Sequence, residues 1–276
     1  LHNFLHNRVI GVSPTAPPAS APPQLAGPPA AELLQGWSAF RTDLTAALSW
    51  NHFKGLAKDR TGRSAVLLSA LLVALPVFVE APWVRHAPFS AVLFTAILLA
   101  LGLGLAHSHV AHLRVGGEVL VGFSGSWLAG ALFWGWARQY PICHLPIEAV
   151  ALPLALGGLS SRWRLACGFY LGSLLGTAAT DAAIAATGLM PLWPLAVSAE
   201  PAAAQELLRQ AANTLLHPLP VLLVSAFGLG LSRFSGWLWH RGPVARIAAT
   251  ALATTLIVDA LFLALALLAP GLSGLI

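Results

Sequence analysis

Seven apolar stretches fill the chain from Ser64 onward, each long enough to cross a bilayer, and this pattern leaves few folds open. The hydrocarbon core of a membrane is about 30 Å thick and needs roughly 20 apolar residues as a helix. In lipid, every backbone N–H and C=O must be satisfied internally, so only helices and closed barrels span it. Stretches at 64–84, 87–106, 118–137, 143–160, 165–187, 214–232 and 246–269 have helical length, and the expected fold is all-α: a polytopic transmembrane bundle of about seven spans. Only 9% of residues are charged and 57% are hydrophobic, against about 25% charged in a soluble domain. A net charge of +5 would suggest a nucleic-acid partner in a soluble protein. Here the basic residues sit in short loops, so no nucleic acid is expected and membrane lipid is the expected partner.

Those loops also orient the chain. Arg8, Arg41, Lys54, Lys58, Arg60 and Arg63 precede the first stretch, and Arg114, Arg162, Arg164, Arg233, Arg241 and Arg246 fall in loops on the same side. The other side has Arg85, Arg138 and Arg209. Positive loops resist translocation, so the N-terminus is expected in the cytoplasm and the C-terminus outside. Tryptophans agree: Trp83, Trp134, Trp136 and Trp193 fall at the outer interface, and Trp163, Trp237 and Trp239 at the inner one.

Three regions are expected. Residues 1–30 hold seven prolines among Ala and Ser, the composition of a disordered tail. The chain starts on Leu, as it would from a non-standard start codon or an upstream gene start. Residues 31–63 form a cytoplasmic amphipathic segment, with Leu33, Trp37, Phe40, Leu44 and Leu48 at helical spacing. Residues 64–276 form the bundle. Glu200 and Pro201 open an Ala-rich helix that lies on the outer surface or lengthens the sixth span.

Four acidic residues fall within the spans, all toward the outer face: Glu80, Glu148, Asp181 and Asp259. A carboxylate at the centre of a spanning helix costs about 2.5–3.5 kcal/mol on insertion scales and marks function or a structural tie. Glu80 and Glu148 lie near enough to the interface to be solvated, or to pair with Arg85 and Arg138 as structural ties. Asp181 and Asp259 lie deeper, and each follows a threonine by four residues, Thr177 and Thr255, which places carboxylate and hydroxyl on one helix face. Further hydroxyls lie beside them at Thr180 and Thr254. His144 precedes Glu148 by four, with His86 and His217 at outer span ends. This is ligand chemistry, but the spacing is weak evidence and no metal site is assigned. His107, His109 and His112 form a loop cluster read as solvated. Gly168, Gly172 and Gly176 make a ladder for close helix packing, with Gly122, Gly125 and Gly130 as a suitable opposing surface. Cys143 and Cys167 lie near opposite faces, which excludes a disulfide between them. No phosphate-binding loop, zincin or hydrolase-elbow pattern occurs, and nothing selects a cofactor.

Several stretches resemble an uncharacterised family of integral membrane proteins found in cyanobacteria: Ser49–Phe53 (SWNHF), Gly122–Gly130 (GFSGSWLAG), Trp134–Trp136 (WGW), His144–Ala149 (HLPIEA) and Phe169–Asp181 (FYLGSLLGTAATD). The resemblance implies a plasma or thylakoid membrane and no particular activity. The leading functional expectation is a transporter or sensor of a small solute or cation, with a substrate or ion site at Glu148, Asp181, Asp259 and His144 flanked by Thr177 and Thr255. The proline-interrupted helices, with Pro76, Pro146, Pro153, Pro218 and Pro220, supply its moving parts. The first alternative is a non-catalytic subunit or assembly factor of a photosynthetic membrane complex, with docking to membrane-complex partners or to a second copy. The second is an intramembrane metal-dependent enzyme using His144 and Glu148.

Overall fold

Among the described residues of the computed structural model, 60–268, the chain is helical throughout, without strands. The Pro-rich tail, most of the 31–63 segment, the Ser49–Phe53 stretch and the end of the last span lie outside the described residues. Seven helices are long and apolar enough to cross a membrane: Thr61–His86, Pro88–Ala106, Ala111–Ala137, Pro141–Gly158, Arg164–Ala186, Pro218–Trp239 and Pro243–Leu267. The sixth begins later than its expected start at 214. Residues Pro201–Leu215 form a separate helix, and His217 in extended conformation turns the chain into Pro218. Pro218 and Pro220 therefore open the sixth span, where an absent N–H costs nothing, and do not break it.

The odd-numbered spans pack in a closed ring, first on third, third on fifth, fifth on seventh and seventh on first. The even-numbered spans lie outside it, the second on the third, the fourth mainly on the fifth and the sixth mainly on the seventh. Because consecutive spans cross in opposite directions, the four ring helices are parallel to one another. Leu67, Leu71, Leu93, Ile97 and Leu222 stay exposed, which suits an outer surface in contact with lipid.

Lipid supplies little hydrophobic drive between helices, so van der Waals contact sets the packing, and small residues mark the seams. A Cβ on Gly117 would lie 2.3 Å from the Ala106 nitrogen of the second span, and one on Gly122 2.3 Å from the Ala166 oxygen of the fifth. The ladder Gly168, Gly172 and Gly176 meets the seventh span at Val244, Ala248 and Thr255. The third span, the expected counterpart, instead meets the fifth at Ala166. A helix turns 100° per residue, so Ala166 and Gly168 lie on nearly opposite sides of the fifth span. That span thus has two close-packing faces.

One half of the ring is filled. Leu72, Phe123, Trp127, Phe169, Ile247 and Ala251 belong to one apolar cluster contributed by all four ring helices. Trp127 is fully buried, its Nε1 donates to the Ala91 carbonyl over 2.9 Å, and its ring meets Trp83, Phe94 and Phe123 edge-on or nearly so. These residues come mostly from the N-terminal and middle parts of the ring helices. Toward their C-terminal ends the helical pattern changes: Pro76–Glu80 and Phe133–Ala137 are π-helical turns, in which the ladder slips by one residue.

A side chain at Gly172 has no room, since its Cβ would lie 2.4 Å from the Ala248 oxygen, whereas Gly230 has nothing within 4 Å. Gly172→Leu is therefore expected to destabilise the bundle by at least the ~1–3 kcal/mol of an overpacked core. Gly230→Ala should leave the melting temperature in detergent unchanged or slightly higher. Thermal unfolding followed by circular dichroism checks both, and an unchanged melt for Gly172→Leu would remove the seam.

Candidate functional site

Above the apolar cluster the ring helices, the fourth span and Trp193 border a partly open cavity of about 260 Å³. Its lining includes Glu80 from the first span, Glu148 and His144 from the fourth, Asp181 from the fifth and Asp259 from the seventh. Thr177, Thr180 and Thr255 line it too, with Ser126 of the third span and Ser173 of the fifth. Trp134, Trp193 and Phe262 supply aromatic surface, and no Lys or Arg is among the lining residues. All four acidic residues singled out from the sequence thus border a single space.

Each is held differently. Glu80 ends the first π-turn and is only 1% exposed, yet neither carboxylate oxygen has a hydrogen-bond partner. Room for it comes from Gly130, where a Cβ would stand 3.1 Å from Oε1. The hydrogen-bonded tie from Glu80 to Arg85 that proximity in sequence suggests is absent. Asp181 places both oxygens 3.0 Å from His144 Nδ1. With Nδ1–H donating to Asp181, the other ring nitrogen faces Glu148, whose Oε1 lies 4.0 Å from Nε2. Glu148 therefore faces His144 across one helical turn. Asp259 accepts from Thr180 Oγ1 over 2.6 Å, joining the seventh span to the fifth.

That last bond rearranges the expected pairs. Thr255 and Asp259 do lie four apart on one helix, but Thr255 Oγ1 donates back to the Ala251 carbonyl over 3.2 Å. Asp259 takes its hydroxyl from the neighbouring helix instead. Thr177 borders the cavity, while Asp181 is engaged by His144. The partners lie across helices because the glycine seam brings the fifth and seventh spans close enough for short side chains to meet.

His144 is positioned by aromatic rings and by a broken helix. Phe133, in the second π-turn, stacks on its imidazole at 4.1 Å between centroids and 26° between planes. Trp193 stands 5.9 Å away and stacks on Trp134 at 5.8 Å. Trp193 is fixed in turn, donating from Nε1 to the Arg138 carbonyl over 2.8 Å. The fourth span is no single helix. It runs as a 3₁₀ turn Pro141–Cys143, a short helix His144–Glu148, a turn and a second helix Leu152–Gly158. Three prolines, at 141, 146 and 153, remove backbone donors along it. The break is satisfied from outside: the Tyr170 hydroxyl of the fifth span donates to the Glu148 carbonyl and accepts from the Ala151 N–H at 3.2 Å. A helix can be interrupted at membrane depth only where other groups meet the freed backbone in this way.

Among the described residues, the other histidines do not line this space. His217 stands just before the first turn of the sixth span, where its side chain makes no capping hydrogen bond. His107 engages the Leu103 carbonyl at 2.7 Å, and His109 and His112 are exposed. His86 is exposed as well, so the ligand set of His144, Glu148, His86 and His217 is not assembled. Among the described residues no three His, Cys, Asp or Glu side chains are placed to hold one metal ion. Sequence reasoning named Glu80 without including it in the site, and it did not find Tyr170 or the roles of Phe133, Trp134 and Trp193. The prolines around His144 were the available signal that a neighbouring side chain must satisfy a broken backbone.

Tyr170→Phe removes the group that satisfies two backbone positions at once. A loss of about 1–3 kcal/mol for each buried group left unpaired is expected. Hydrogen exchange should rise first at Ala151, and exchange unchanged from wild type there would show that the stitch is dispensable.

A family model for DUF3120, proteins of unknown function, matches residues 69–267, and the chain belongs to that family. No curated protein and no solved structure matches it.

Proposed function

We propose that this DUF3120 protein is a transporter or sensor that binds a small solute or cation in the cavity bordered by Glu80, Glu148, Asp181 and Asp259. The carrying observation is Glu80: a carboxylate buried in a membrane span with both oxygens unpartnered, facing a space that three more carboxylates share. Ionisable groups in spans are costly, and they are retained where they meet a partner, water or a passing ion. His144 between Asp181 and Glu148 forms a short chain of proton-exchanging groups, so carboxylate protonation or ion binding can be coupled to helix movement.

The architecture supports one-sided access. The apolar cluster around Phe123, Phe169 and Ile247 seals the N-terminal half of the ring, and the cavity occupies the C-terminal half. With the N-terminus in the cytoplasm, as the basic loops suggest, the cavity lies toward the outside. Alternating access would then proceed by movement of the seventh span against the fifth along Gly168, Gly172 and Gly176, where the fifth span presents no side chains of its own. The plasma or thylakoid membrane of a cyanobacterium is the proposed setting, on the strength of the sequence resemblance.

A second reading has one observation in its favour. The sixth span is covered along one side only, leaving Leu219, Leu222, Phe234 and Trp237 exposed, a surface on which a subunit of a larger membrane complex could dock. A non-catalytic or assembly role would use that face and leave the carboxylates as ties.

Melting temperatures in a panel of small solutes and cations test the main reading. A ligand at 100 times its dissociation constant stabilises the folded protein by about 2.7 kcal/mol. Asp181→Asn is expected to abolish that shift while the unliganded protein still folds. Equal loss of folded protein in Asp181→Asn, or no stabilising compound, would favour the structural reading.

A further inference from the structure

We propose that the occupant of the cavity is a small organic cation, an ammonium or guanidinium group carrying apolar substituents, and not an inorganic ion. This rests on the reading of the cavity as a cation or solute site and specifies its ligand class.

The charge balance fixes the sign. Four carboxyl groups and one imidazole border the space along with serine and threonine hydroxyls, and no Lys or Arg does, so no fixed positive charge is there to hold an anion, whereas a cation meets acidic groups on several walls. Donor placement argues against a bare metal ion. Asp181 is engaged by His144 and Asp259 by Thr180, and no three ligating side chains converge on one point among the described residues. Oxygen donors for a dehydrated ion need to surround it at 2–2.6 Å. Here they are spread around the walls.

The size and the remaining surface agree. At about 260 Å³ the cavity falls just under the ~300 Å³ at which pockets for drug-sized ligands begin, far more than one dehydrated ion fills. Part of its wall is aromatic: the stacked pair Trp134 and Trp193 belongs to it, and Phe262 of the seventh span adds a further ring. Indole is the best π partner for a cation within about 6 Å, and substituted ammonium groups are recognised by such walls. The Trp193 N–H is already spent on the Arg138 carbonyl, so what this ring offers a ligand is π surface. Glu80 supplies the acidic partner that a docking cation would draw into its charged form: it is 1% exposed, has no partner of its own, and borders the same space. An organic cation uses both features at once, whereas an inorganic ion has no use for the aromatic wall.

The test is titration of the purified full chain in detergent, followed by intrinsic tryptophan fluorescence and calorimetry. The probes are tetramethylammonium and methylguanidinium chloride, against sodium, potassium and manganese chloride at matched ionic strength. A saturable response to either organic probe and none to the inorganic salts is expected. Glu80→Gln should weaken that binding at least tenfold, and Trp193→Phe should reduce the fluorescence amplitude. If Glu80→Gln does not elute as a folded species, Asp259→Asn replaces it. Saturable binding of an inorganic cation alone, sensitive to Glu80→Gln, would overturn the organic class and leave the cation cavity standing. An organic response unchanged in every variant would place binding elsewhere and overturn the proposal. No saturable response to any probe would overturn the proposal and the cation reading together.

Discussion

The fifth and seventh spans meet backbone to backbone, with Ala248 so close to Gly172 that a single added carbon would lie 2.4 Å from its oxygen. The rest of the site depends on that approach. It brings Thr180 within 2.6 Å of Asp259, a distance two short side chains cannot bridge between helices spaced by Leu or Phe. It also draws Asp181, on the same helix as the ladder, into the ring where His144 reaches it from the fourth span. Lipid gives little reward for burying apolar surface, so small residues that allow close contact decide which helices are neighbours.

Polar groups at membrane depth explain the remaining irregularities. The π-turns at Pro76–Glu80 and Phe133–Ala137 each move one residue out of step, and they place Glu80 against Gly130 and Phe133 against His144. The broken fourth span carries His144 and Glu148 into the ring, and the Tyr170 hydroxyl meets both backbone groups that the break frees. Each departure from regular helix thus lies beside the cavity, while the apolar half of the ring is regular. Exposed pairs such as Glu206 with Arg209, whose hydrogen bonds hold the Glu206 carboxyl below its ordinary range, contribute little by comparison.

Much of this was legible in the residues. Spans are written in hydropathy, and counting inward from their ends placed Glu80, Glu148, Asp181 and Asp259 toward one face because consecutive helices alternate in direction. What a count along one helix cannot give is which helix stands opposite. The spacing of Thr255 and Asp259 suggested a pair on one face, yet Asp259 takes Thr180 from a neighbour. The Gly168 ladder was legible as a close-packing surface, but its partner is the seventh span and not the third, a choice made by ring closure. Pro146 and Pro153 announced a break in the fourth span, whereas its repair by Tyr170 depends on contact between spans. The start of the sixth span was misjudged because the amphipathic helix Pro201–Leu215 continues the helical pattern up to the Pro218 boundary.

One-sided accessibility tests the central claim, a ring open to water at the carboxylates and sealed beneath them, most directly. In a chain whose Cys143 and Cys167 are replaced by alanine, Thr177→Cys and Ala251→Cys are exposed in turn to a membrane-impermeant thiol reagent, in intact cells and in inverted vesicles. Labelling of Thr177→Cys from one side only is expected, with no labelling of Ala251→Cys, which is fully buried in the apolar cluster, from either side. Labelling of both positions, or of Thr177→Cys equally from both sides, would contradict the claim.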